Sequence, residues 1–335
     1  NLLNLLNLLN LEPLKLMIEN LLGIDVGGTK CAVIFGQREG DSLNIVEKVK
    51  FPTTDVNDTI GRICAELKQL MERNGLSADN TRAVGISCGG PLDSRKGIVM
   101  SPPNLPGWDN IPITDLIRSH TALPAYIQND ANACAMAEWK FGAGRGTQNM
   151  VFLTFGTGLG AGIIANGQIY TGANDNAGEA GHIRLAQFGP VGYGKAGSFE
   201  GFASGSGIAQ LARMRLSEVY QMGGKVAWCD YGQIDAVTAK DVTEAAAAGD
   251  PLALEVVQLS ARYLGIGLSV LIDILNPELI VIGGVFARRE SLFRPLMEET
   301  IRREALPLAS RVCRVVPAQL GEAIGDFAAL SVACS

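Results

Sequence analysis

Two segments about 130 residues apart follow one plan, and that repetition limits the possible folds more than any other feature. From Leu21 the chain reads LLGIDVGGTKCAVIFG: an apolar stretch, a turn of glycine and threonine, then a second apolar stretch. From Met150 it reads MVFLTFGTGLGAGIIANGQIY, the same order of features, with Asn166-Gly167 adding a tight hairpin turn. Each reads as strand, glycine turn, strand. The spacing is too long for a solenoid repeat and suits a duplicated α/β domain, each half presenting a glycine hairpin to a shared cleft. Residues 58–73 carry apolar side chains at helical spacing and stop at Asn74-Gly75. Residues 83–90 and 123–130 read as strands, 131–142 as a helix, and 178–206 as a glycine-rich irregular stretch. Asp250-Pro251 opens a long helix that Asn276-Pro277 ends. Residues 278–284 form a buried strand stopped by two glycines, and 321–334 a closing helix.

Composition narrows the class. Of 335 residues, 47% are hydrophobic and 19% charged, which supplies a substantial core and excludes wholesale disorder. The net charge of −6 leaves no electrostatic footprint for nucleic acid or an anionic membrane. No run of 18 apolar residues occurs, so no transmembrane helix is expected. The seven cysteines are scattered, odd in number and without a CxxC pair, which fits a reducing cytoplasm better than a disulfide framework. Residues 1–16, beginning NLLNLLNLLN, lack the basic region and cleavage site of a signal peptide. They are expected to be an upstream extension or an artefact, with the natural chain opening at Met17.

Several residues carry chemistry. Asp25, Gly27, Gly28, Thr29 and Lys30 place an acid, two glycines, a hydroxyl and an amine at the end of a strand. Glycines let backbone N–H groups approach an anion, and Asp25 suits a Mg²⁺. An ordinary hairpin turn is the competing reading. Gly156, Thr157 and Gly158 begin a GxGxxA pattern, but a dinucleotide fingerprint must open a helix, and AGIIANGQIY reads as a strand. Gly283 and Gly284 are either a plain turn or a place where a flat purine meets backbone. Asp130 ends a strand after Gln128 and Asn129; it suits a helix N-cap, or a base that takes a proton from a polyol hydroxyl. Glu179, His182 and Glu200 bring two carboxylates and an imidazole into the irregular stretch.

In order, the motifs LLGIDVGGTK, CGGPLD, PNLPGW, QNDANA, TFGTGLGAG, GEAGH, SFEGFAS and NPELIVIGG resemble those of the ROK family of sugar kinases and regulators, from about Leu21 to the C-terminus. The resemblance implies the actin-like ATPase (hexokinase/ribonuclease H-like) fold, two α/β domains around a hinge cleft. The expected division is 17–130 and 131–317, with a C-terminal helix at about 318–335 packing back on the first domain. The resemblance further implies Asp130 as catalytic base. Gly90, Asn104, Asn129, Asp130, Glu179, His182 and Glu200 would bind the sugar. Asp25, Gly27, Gly28, Thr29, Lys30, Gly156, Thr157 and Gly158 would face the phosphates of ATP and Mg²⁺, with Gly283 and Gly284 lining the adenosine pocket. Many ROK kinases hold zinc through a histidine and three cysteines. Here Val191, Tyr193 and Ser198 stand at those cysteine positions, so no zinc is expected; Phe188, Tyr193 and Phe199 are candidates to pack in its place.

The expected function is an ATP-dependent hexose kinase acting on the 6-hydroxyl of glucose. An N-acetylhexosamine kinase, particularly for N-acetylmannosamine, is the alternative. A sugar-sensing regulator is disfavoured, because about twenty residues before LLGID are too few for a helix-turn-helix domain. A sugar-binding protein without turnover is disfavoured by the presence of Asp25, Asp130 and both glycine loops. A cytoplasmic homodimer is expected, without nucleic-acid or membrane partners.

Overall fold

A computed structural model describes residues 18–334; the proposed extension at 1–16 and the start at Met17 lie outside the described residues. The chain divides into two compact units, one running to Asn129 and resuming at Gly325, the other spanning Asp130–Ile324.

The first unit is built on a five-stranded sheet in the order β3-β2-β1-β4-β7. Its strands are β1 (Ile18–Val26), β2 (Lys30–Glu39), β3 (Ser42–Pro52), β4 (Thr81–Cys88) and β7 (Ala125–Asn129). The first three pair antiparallel, whereas β4 lies parallel to both β1 and β7. Strands covered on both faces must be apolar nearly throughout. Accordingly Leu21, Leu22 and Ile24 of β1 and Val84 and Ile86 of β4 are fully buried. Helix Val56–Asn74 covers the sheet, capped by Asp55, whose carboxylate accepts the N–H groups of Asn57 and Asp58, and ended by Gly75 at φ 61°. The C-terminal helix Ile324–Ala333 packs on this sheet too. A side chain at Gly85 would collide with the backbone of Ala329 and Ala333, so glycine there sets how closely the helix approaches. A small hairpin, β5 (Leu92–Asp93) with β6 (Ile98–Val99), precedes a loop anchored by Leu105 and Trp108, both buried.

The second unit repeats the plan. Its sheet runs β10-β9-β8-β13-β14, formed by β8 (Met150–Leu153), β9 (Ala161–Ala165), β10 (Gln168–Tyr170), β13 (Leu279–Ile282) and β14 (Arg314–Pro317). Again three strands are antiparallel and the last two join parallel. Two sheets with one strand order are the structural form of the paired hairpins read in the sequence. Because β9 follows the Gly156–Gly158 loop where a dinucleotide fold would need a helix, the fingerprint reading fails.

Helix Pro251–Leu275 begins as its sequence indicates, with the Asp250 carboxylate accepting the Ala253 N–H at 2.9 Å, and ends at Asn276 with φ 44°. It is long and apolar enough to cross a membrane by length and composition, and its Val256, Val257, Ala261, Leu264 and Leu268 lie in the core of this unit. The stretch 178–206 is less irregular than its glycine content suggests. It contains a 3-10 turn (Ala180–His182), a hairpin of β11 (Val191–Gly192) and β12 (Lys195–Ala196), and a short helix, Phe199–Phe202.

Candidate active site

In the first unit the turn between β1 and β2 is fastened from several sides. The Gly27 N–H donates to the Lys30 carbonyl at 3.1 Å, and Thr53 donates its hydroxyl to the Gly27 carbonyl (2.6 Å) and its N–H to the Thr29 carbonyl (3.1 Å). Gly28, Thr29 and Lys30 remain exposed, and Asp25 is half-buried at the strand end. A Cβ at Gly28 would stand 2.5 Å from the Asn104 carbonyl oxygen, so the turn lies directly on the loop before Trp108. Gly89 sits beside the Asn104 carboxamide, and a Cβ at Gly90 would be 3.0 Å from Asn129 Nδ2. The unit therefore gathers Gly28, Gly90, Asn104 and Asn129 in one place. Burial pushes the neighbouring Cys31 thiol up, and the Asp25 charge adds to this against the hydrogen bonds from Thr53 and Gly27. Cys31 stays a neutral thiol beside the loop.

In the second unit, Thr154 closes the loop between β8 and β9: its N–H donates to the Gly160 carbonyl at 2.9 Å and its hydroxyl accepts the Gly160 N–H at 2.8 Å. Helix Gly205–Gln221 meets this loop at its first turn, Gly205 N–H donating to the Gly156 carbonyl (2.7 Å) and Ser206 N–H to that of Thr157 (3.2 Å). Gly283 and Gly284 lie on the same loop. Gly283 N–H donates to Leu153, Val285 N–H donates to Phe155 at 2.6 Å, and Gly284, at φ 60°, has the Phe155 carbonyl where a side chain would stand.

Two cavities open here, one of about 270 Å³ bordered by Gly156, Gly283, Gly284 and Arg288, the other of about 610 Å³ bordered by Gly156, Thr157, Arg213, Lys240 and Arg288. Arg213 Nε is buried with no hydrogen-bond partner among the described residues. A glycine-lined recess with three cationic side chains and an orphan donor fits a polyphosphate. Sequence reading missed Arg213, Lys240 and Arg288, which come from separate segments of ordinary composition.

Asp130 opens helix Asp130–Phe141, and its carboxylate accepts the Ala131 N–H at 2.8 Å. The residue is exposed to solvent, yet much protein is packed around its carboxylate. Burial accordingly holds its carboxyl above the ordinary range, the Ala131 N–H opposes this, and the nearby Glu179 charge adds to it. Glu179 precedes the 3-10 turn that ends at His182. A Cβ at Gly181 would be 3.2 Å from the Glu200 Cβ, and Glu200 accepts the Leu159 N–H at 2.9 Å. Asp130, Glu179, His182 and Glu200 thus belong to one neighbourhood with the Gly156–Gly158 loop.

Among the described residues, no three His, Cys, Asp or Glu side chains come together as a metal would need. The zinc positions hold Val191, Tyr193 and Ser198, which supply no thiolate, so the residues do not fit that ion. The stretch is ordered by backbone instead: Leu185 and Ala186 donate to the Gly197 carbonyl, Gly197 donates to Pro190, and Phe199 donates to Ile183. Ser198 caps the short helix that follows. The expectation that three aromatics replace the metal needs correction. Phe199 is fully buried, but Phe188 is 78% exposed, and Tyr193, 70% exposed, only sets its ring edge-on against His182 at 5.2 Å. Tyr193 stands at the tip of the β11–β12 hairpin and Phe188 in the bend before β11, and neither has enough chain around it to cover its ring.

The ROK family model matches residues 21–334. A glucokinase from Halalkalibacterium halodurans is 36% identical over 91% of this chain and 92% of its own. A ROK family glucokinase from Streptomyces griseus, solved with glucose and AMPPNP, superposes with a TM-score of 0.73 at 31% identity, over 93% of this chain and 98% of its own. A ROK family transcriptional regulator, a homologue of the E. coli Mlc protein, superposes with a TM-score of 0.81 at 28% identity, over 94% of this chain and 77% of its own. The fold is that of the actin-like ATPases.

Proposed function

Since the chain belongs to the ROK family, we propose that it transfers the γ-phosphoryl group of Mg·ATP to a hexose hydroxyl, the 6-hydroxyl of glucose first. The observation that carries this reading is the grouping of Asp130, at a helix start, with Glu179, His182, Glu200 and the Gly156–Gly158 loop; the protein packed around Asp130 also holds its carboxyl above the usual range. A base poised nearer neutrality takes a proton more effectively than an ordinary aspartate. As the sugar oxygen bonds to the γ-phosphorus, its proton passes to Asp130. The bond from that phosphorus to the bridging oxygen breaks, and ADP leaves.

Gly90, Asn104, Asn129, Glu179, His182 and Glu200 would hold the sugar. Asp25, Gly27, Gly28, Thr29, Lys30, Gly156, Thr157 and Gly158 would meet the phosphates. Gly283 and Gly284 would line the adenosine subsite, and Arg213, Lys240 and Arg288 would neutralise phosphate charge. Asp25 would face the Mg²⁺ that accompanies the nucleotide, an ion that would offset charge developing on the phosphate oxygens. The same reading has the protein working in the cytoplasm as a homodimer, without nucleic-acid or membrane partners.

The test is ADP release from Mg·ATP across glucose, mannose, fructose, allose, N-acetylglucosamine and N-acetylmannosamine. A strong signal with glucose supports the first choice, and one confined to N-acetylmannosamine moves the assignment to the alternative acceptor. A second reading, a sugar-responsive regulator without turnover, draws on the similarity to the Mlc homologue. Sugar binding without ADP release would favour it.

A further inference from the structure

Val191 stands where the family's zinc-binding pattern has a cysteine, and its backbone is gripped by a side chain that no motif marks. Gln210 lies on helix Gly205–Gln221. The Val191 N–H donates to Gln210 Oε1 at 3.0 Å, and Gln210 Nε2 donates to the Val191 carbonyl at 2.8 Å. A carboxamide offers a donor and an acceptor side by side, so Gln210 pairs β11 much as one residue of a neighbouring strand would.

What Gln210 holds is connected to the residues of interest. From β11 the chain turns into β12, where Lys195 Nζ donates to the His182 carbonyl at 2.7 Å, and Tyr193 between them meets the His182 ring. It then passes Ser198 to Glu200, which accepts the Leu159 N–H from the glycine loop. The helix bearing Gln210 is bonded at its own start to the carbonyls of Gly156 and Thr157. One rigid element therefore grips the glycine loop at its first turn and β11 about a turn and a half later.

We propose that Gln210 is a positioning residue, fixing the β11–β12 hairpin, and through it His182 and Glu200, against the Gly156–Gly158 loop. It takes over the tethering that a metal would supply if positions 191, 193 and 198 held cysteines. The inference rests on the reading that His182 and Glu200 bind the acceptor sugar.

The experiment compares wild type with Gln210→Met, which keeps the stem and loses both hydrogen bonds, and Gln210→Glu, which keeps only the acceptor. Amide hydrogen exchange over residues 186–200 reports the tether, and calorimetric sugar affinity reports positioning without requiring turnover. Two solvent-facing hydrogen bonds of modest net worth correspond to about a fivefold effect. Gln210→Met should speed exchange across the segment and weaken sugar binding by about that factor, with Gln210→Glu intermediate. Unchanged exchange overturns the tether; faster exchange with unchanged sugar affinity overturns the positioning role. If wild type binds sugar but never releases ADP, the kinase reading fails while the affinity comparison still decides on Gln210.

Discussion

Gly267→Ala tests how the acceptor segment is supported from beneath. Gly267 lies within helix Pro251–Leu275 against the ring of fully buried Phe199, the residue before Glu200. A methyl group there would stand 2.5 Å from Cε1 and Cε2 of that ring. Carbon atoms pack best at ~3.5–4.0 Å, so the ring must yield by about 1 Å. Two energies oppose each other. Replacing glycine by alanine inside a helix gains about 1 kcal/mol. Overpacking a filled core costs ~1–3 kcal/mol, so the net change runs from neutral to a loss of about 2 kcal/mol. The effect on activity is larger in proportion, because a displacement of about 1 Å at a substrate-positioning group can cost on the order of 100-fold. Urea unfolding should show a folded variant no more than about 2 kcal/mol weaker, with kcat/KM for the sugar reduced at least ~10-fold. A variant stabilised by the full ~1 kcal/mol of helix propensity, with unchanged sugar kinetics, would refute the reasoning: the ring would have room and Phe199 would not set Glu200.

Asp130→Asn should lower turnover by ~100-fold or more while sugar binding persists; near-normal turnover removes Asp130 as base. Because its pKa is raised in the folded state, the native protein holds this proton more tightly than the unfolded chain does, so ionised Asp130 costs stability as pH rises through that value. The asparagine variant should therefore melt at or above wild type at neutral pH, the difference closing as pH falls below the ordinary value of about 3.9. Wild-type kcat/KM should fall with acid through a pKa above that value, an acid limb readable in a pH profile. Lys48→Met removes the partner of Asp326, which joins β3 to the C-terminal helix and is only 10% exposed. Leaving that carboxylate unpaired should cost about 1–3 kcal/mol, read from the urea midpoint. A zinc chelator, with Mg²⁺ in excess, should change neither activity nor melting temperature; a clear loss would mean that a zinc site had been misread.

The features legible in the sequence are those in which a local backbone requirement fixes residue type. Asp-Val-Gly-Gly-Thr and Phe-Gly-Thr-Gly mark turns that must admit close neighbours, and the structure has the Asn104 carbonyl against Gly28 and the Phe155 carbonyl against Gly284. Gly75, Asp250 and Asn276 bound helices by capping chemistry that acts over a few residues. The duplication of the domain was legible in the repeated hairpin, whereas the strand order of the two sheets came only with the structure. The cationic wall was not legible, because Arg213, Lys240 and Arg288 converge from distant segments. Nor was the tether at Val191, since a glutamine on a helix surface is ordinary until its partner is known. Phe188 and Tyr193 were misjudged for a related reason: residue type gives the tendency to bury, whereas the bend before β11 and the hairpin tip decide whether cover is available.

The reaction proposed for this protein is phosphoryl transfer to a sugar with Asp130 taking the proton. It is tested most directly by glucose-dependent ADP release from Mg·ATP in wild type and Asp130→Asn, with glucose affinity measured for both. Turnover is expected in wild type, with near-complete loss in the variant and similar affinities. Equal turnover in the two proteins, or glucose binding to wild type with no ADP released, would contradict it.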